Sequence, residues 1–131
     1  MDNQPMNAMP KIEDAFLSIH YLDRHSKLET WRIYGSDGQA HIYDGHEWRA
    51  EYGLTPNEIT EVQAALESCG VLSAKDIGSE GVHDTATLTW EWSLPDGRTG
   101  KLQNRAHPAK THPAMDCVMD VLLEIEDRHL G

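Results

Sequence analysis

A chain of 131 residues with 39% apolar side chains has the length of one domain and enough patterned apolar sequence to bury a core. Twenty-two acidic side chains against eleven basic ones leave a net charge of −11. That charge argues against a general binder of DNA or RNA and against docking on an anionic membrane surface. No apolar run reaches the length of a membrane helix.

Residues 1–12 are polar, carry two prolines and read as a flexible tail; they lack the basic start and apolar stretch of a signal peptide. Residues 13–131 read as a single α+β domain. Ala15–Leu22 alternates as a strand, with Ala15, Leu17, Ile19 and Tyr21 on one face. Glu29–Tyr34 is the next strand, with Trp31 and Ile33 expected inward against Thr30 and Arg32. Asp37-Gly38 suits a turn needing positive φ, and Gln39–Tyr43 returns with Ala40 and Ile42 inward. After Asp44-Gly45, His46–Tyr52 alternates again and places His46, Trp48, Ala50 and Tyr52 on one face. Short strands between turn signals read as a meander.

The period then changes. Thr55 is an N-cap, Pro56 opens a helix and Glu58 completes a capping box. Ile59, Val62, Leu66 and Cys69 form one apolar stripe, and Gly70 stops the helix with Val71 packing back. Residues 71–83 are irregular. Thr85–Leu94 alternates without a break: Ala86, Leu88, Trp90, Trp92 and Leu94 oppose Thr85, Thr87, Thr89, Glu91 and Ser93. That is a strand with one apolar and one polar face. Pro95-Asp96-Gly97 makes a hairpin turn, and the return strand starts at Arg98. Pro113 starts the last helix, striped by Met115, Val118, Leu122 and Ile125. The expected fold is an antiparallel β-sheet, a meander plus a C-terminal hairpin, with two amphipathic helices packed on one face. The core list is Leu17, Ile19, Trp31, Ile33, Ile42, Ile59, Val62, Leu66, Leu88, Trp90, Trp92, Val118, Leu122 and Ile125.

Two cysteines, Cys69 and Cys117, form no disulfide framework and read as reduced core thiols in a cytoplasmic protein. The eight histidines show no His-Glu-x-x-His and no paired Cys/His ligand spacing, so neither a metal site nor a cofactor is expected. There is no Gly-x-Ser-x-Gly elbow, phosphate loop or marked carboxylate pair, so no catalytic residue is named and the chain reads as non-enzymatic. Two charge features stand out. Asp116, Asp120, Glu124 and Asp127 line one ridge of the last helix, suited to a basic protein surface. Arg98, Lys101, Arg105 and Lys110, with no acid between Asp96 and Asp116, form a basic stretch suited to an anionic patch. An exposed aromatic anchor, Tyr43, Trp48 or Tyr52, beside either patch would mark the contact surface.

Leu54-Thr55-Pro56-Asn57-Glu58-Ile59 opening a helix, Gly70-Val71-Leu72 closing it, a Pro-Asp-Gly hairpin and a proline-started terminal helix resemble the layout of emfourin-type protein inhibitors of thermolysin-like metallopeptidases. They are also similar to some small bacterial domains of unknown function. The resemblance covers about residues 54–127, rests on layout rather than a diagnostic motif, and carries over no inhibitory residue. It implies a small protein that works by binding another protein. The expected function is therefore an acidic, non-enzymatic binding protein that inhibits or neutralises a protein target, of inhibitor, immunity or anti-defence type from bacteria or phage. The rival readings are a small metal- or ligand-dependent enzyme using the histidines and basic loop, and an accessory subunit.

Overall fold

The computed structural model describes residues 14–78, 86–107 and 111–131. The expected tail at 1–12 lies outside the described residues. The strands are β1 (Ala15–Asp23), β2 (Glu29–Gly35), β3 (Gln39–Tyr43), β4 (Trp48–Gly53), β5 (Ala86–Ser93) and β6 (Thr99–His107). The helices are α1 (Pro56–Ser68), between β4 and β5, and α2 (Pro113–Leu130), after β6. All six strands form one antiparallel sheet in the order β4-β3-β2-β1-β5-β6. The meander grows to one side of β1 and the hairpin to the other, as an α+β fold built from these patterns requires. Gly38, Gly45 and Gly97 take positive φ in the turns where Asp-Gly pairs were expected.

Residues directly opposite one another in an antiparallel ladder share a face. One row therefore crosses the sheet from Ile42 through Arg32, Ile19 and Trp90 to Leu102. Its neighbour runs from Tyr52 through Ala40, Tyr34, Leu17 and Trp92 to Gly100. These rows face the helices: Leu17, Tyr34, Ala40, Trp90 and Leu102 pack in one core with Val62 and Leu66 of α1 and Met115, Val118, Leu122 and Ile125 of α2.

Two expected faces are corrected. Arg32 and Tyr34, not Trp31 and Ile33, are the β2 residues that face the helices. Arg32 Nη1 donates to Glu126 Oε1 on α2 at 2.8 Å. Trp31 therefore leaves the helix-side core, while Ile33 is buried on the opposite face. In β4, a register shift between Ile42 and Tyr43 pairs Ala50 with Ile42 but Trp48 with Tyr43. The shift works as a β-bulge, so Trp48 and Tyr52 fall on opposite faces despite being four residues apart.

The start of α1 is as expected. Glu58 N–H donates to Thr55 Oγ1 at 3.1 Å and Thr55 N–H to Glu58 Oε1 at 2.9 Å. Gly70, with φ 87°, ends the helix, and Val71 beyond it is fully buried. The cysteines are corrected: Cys69 and Cys117 form a disulfide. The two helices run antiparallel, which brings the C-cap of α1 to the early turns of α2 with the two Cα atoms 5.7 Å apart. The reduced-thiol argument for a cytoplasmic setting falls with this bond. No described helix is long and apolar enough to cross a membrane.

Candidate functional site

On the face of the sheet away from the helices, one row runs in register across all six strands: Trp48, Tyr43, Trp31, His20, Thr89, Gln103. Its members touch. The Trp48 and Tyr43 rings have centroids 5.2 Å apart, and His20 stacks on Trp31 at 4.0 Å. Gln103 Nε2 donates to Thr89 Oγ1 at 3.2 Å, and Arg105 Nη2 donates to Gln103 Oε1 at 2.6 Å. His41 meets the Trp48 ring edge-on from the next row. His20 Nε2 pairs with Glu29 Oε2, which fixes the imidazole against Trp31. Trp31, Tyr43, Trp48 and His20 are each half-buried.

Of the basic stretch, Lys110 lies outside the described residues and the other three divide. Lys101, exposed, stands opposite Glu91 on this same face, and Arg105 stands with Gln103. Arg98 is not part of the face. It sits in the β5–β6 turn, where Asp96 and then Glu67 hold its guanidinium above its ordinary pKa. Trp48 shares the face with Lys101 and Arg105 but lies at the far end of the row. Five strand spacings of about 4.8 Å separate β4 from β6, roughly 24 Å.

The acidic ridge lies on the other side of the molecule. Asp116, Asp120, Glu124 and Asp127 are all exposed on the arc of α2 opposite its buried stripe. Glu124 is drawn towards α1, because Arg128 Nη2 donates to its Oε1 at 2.9 Å while also bridging Glu61. No described side chain pairs with Asp116, Asp120 or Asp127.

Beneath α2 lies a polar group built from the buried Tyr34 and Tyr52 and the half-buried Arg32 and Glu126. Burial alone would lower the Arg32 pKa, but Tyr34 and Glu126 outweigh it and hold the guanidinium above its ordinary value. Burial pushes both tyrosine hydroxyls up, and at Tyr52 the neighbouring Tyr34 and Glu126 act in the same direction. Such an arrangement holds Arg32 charged and both tyrosines neutral, which suits an internal clamp between β2 and α2.

The described histidines are dispersed: His20 and His41 on the open face, His25 and His46 in turns, His112 at the start of α2 and His129 near its end. Among the described residues, no three His, Cys, Asp or Glu side chains converge as a metal site. Sequence reasoning named Trp48 and Tyr43 as anchors but missed Trp31 and His20 as their companions, and its third anchor, Tyr52, is buried on the helix side. The hairpin turns set the register that aligns Tyr43, Trp31 and His20, and the β4 bulge brings Trp48 to them. Compared with known proteins, the chain matches no family model and no curated protein sequence.

Proposed function

We propose that this chain is a non-enzymatic binding protein that inhibits or neutralises a protein target, and that it meets the target with the open face of its sheet. The observation that carries this reading is the in-register row Trp48-Tyr43-Trp31-His20 on a face that no described helix covers. Trp, Tyr and Arg are the usual energetic centres of protein interfaces. Here three aromatic rings sit on a rigid sheet, pre-ordered by their neighbours, so little side-chain entropy is lost on contact. A row about 24 Å long fits one side of a standard interface. Lys101 and Arg105 supply charge at its end. A metallopeptidase is the target class that the layout resemblance over residues 54–127 suggests. The setting we infer is oxidising, because the Cys69–Cys117 bond persists there.

Affinity capture with the wild-type chain, followed by mass spectrometry, identifies the target. Trp48→Ala and Tyr43→Ala should each weaken binding to it by about tenfold or more, equivalent to at least ~1.4 kcal/mol. Binding unchanged in both variants would remove the open face as the contact surface.

A further inference from the structure

The outer side of α2 carries a second feature that the open face does not use. A cavity of about 340 Å³ opens between the first half of α2 and the sheet, lined by Ile19, Tyr21, Thr30, Arg32 and Leu88 with Met115, Asp116 and Met119. Arg32 is already neutralised by Glu126. The walls are otherwise mostly apolar, and two are methionines, whose flexible thioethers adapt to varied occupants. Continuing along α2 from Met119, Leu123 and Leu130 lie on the same side of the helix and are 43% and 52% exposed. They are two of the three large apolar side chains exposed among the described residues. Asp116, Asp120 and Asp127 run alongside them.

We infer that this side of α2 is a docking groove for a basic amphipathic segment of a protein partner, with one apolar anchor seated in the cavity between α2 and the sheet. Two properties select that occupant. From Met119 to Leu130 is eleven residues, about 16 Å along the helix. Three apolar side chains spread over that length, with a cavity at one end, fit a peptide segment better than a small ligand confined to the cavity. The flanking side chains are carboxylates without described partners, on a chain of net charge −11, so the complementary segment is cationic. The groove faces away from the open sheet face, so its occupant is distinct from the target proposed above.

The test uses the full chain and three fluorescent synthetic helical peptides of twelve residues. One carries Leu on one face and Lys on the other; the second replaces Lys with Glu; the third replaces Leu with Ser. Anisotropy should show saturable binding of the Leu/Lys peptide alone, weakening at least fivefold between 50 and 200 mM salt. Met119→Lys should reduce binding at least tenfold. Leu123→Ser with Leu130→Ser, both on exposed positions and so safe for folding, should reduce it at least threefold. Asp116→Asn, Asp120→Asn and Asp127→Asn together should flatten the salt dependence. Equal binding of the Leu/Glu peptide would overturn the inference. So would binding that both groove variants leave unchanged, or dodecylamine competing as tightly as the peptide, which would make the cavity a site for a small apolar cation.

Discussion

Gly100 shows how much one missing side chain can decide. It stands opposite Trp92 on the edge strand β6, and the indole lies across it; a Cβ there would overlap the ring. An aromatic ring covering a cross-strand glycine keeps that backbone dry and packed. Gly100→Ala should push Trp92 out of its place in the core and destabilise the fold by about 1–3 kcal/mol in urea denaturation. A loss below half a kcal/mol would show that the ring moves aside freely. Glu58 is the second telling residue. Burial would raise its carboxyl, but the Thr55 N–H, His129 and Arg128 outweigh burial and hold it below the ordinary carboxylate range. A carboxyl lowered in the folded state binds protons less readily than in the unfolded chain. Its contribution is therefore complete above the ordinary carboxylate pKa and is lost as pH falls through the lowered one. Denaturation midpoints measured from pH 6 down to pH 2 should fall less steeply in Glu58→Gln than in wild type; parallel curves would show that Glu58 is not the group responsible.

At the scale of elements, legibility followed the locality of the cause. The start of α1 was fully readable, because Thr55, Pro56 and Glu58 act within one turn of each other. Thr55→Ala should cost about 1 kcal/mol by chemical denaturation, and no loss would mean that the cap is replaced by other groups. The strands were readable too, but not always their faces. In β2 both faces carry large side chains, and alternation alone does not say that Arg32 and Tyr34 face the helices. Their partner, Glu126, lies 94 residues away from Arg32. The β4 bulge left no local mark, so Trp48 could not be separated from Tyr52. The disulfide was out of reach for the same reason: it spans 48 residues and depends on how two helices pack. Cys69→Ser with Cys117→Ser should lower stability by about 2–4 kcal/mol. A thiol titration of the unfolded, unreduced chain should find no free thiol; two would contradict the bond.

For the whole molecule, the helix-side core should dominate stability. Leu66→Ala and Leu122→Ala each empty a fully buried site and should cost about 2–5 kcal/mol. A change within half a kcal/mol would detach that helix from the core. The candidate site was legible only in pieces. Trp48, Tyr43, Lys101 and Arg105 could be named as chemistry, but only the sheet register joins Trp48 and Tyr43 to Trp31 and His20, and the packing of α2 on the sheet sets the acidic ridge on the opposite side. The two surfaces share no residue and are separated by the sheet, so Trp48→Ala and Met119→Lys should act additively on stability, within about 0.5 kcal/mol. A larger departure would reveal coupling through the core.

The helix pair is fastened at its two ends by different chemistries. Electrons break the end at Cys69 and Cys117; protons break the end where Glu58 holds His129 and Arg128. The pair is thus a zip with two unlike stops, each answering to a different change in the medium. Reductant at neutral pH should let the chain fray from the Cys69 end first, and acidity strong enough to protonate Glu58, below the ordinary carboxylate range, should fray it from the Glu58 end under oxidising conditions. Backbone amide exchange would then rise from opposite ends of α1 in the two media. The direction of fraying becomes a readout of which stress the molecule has met.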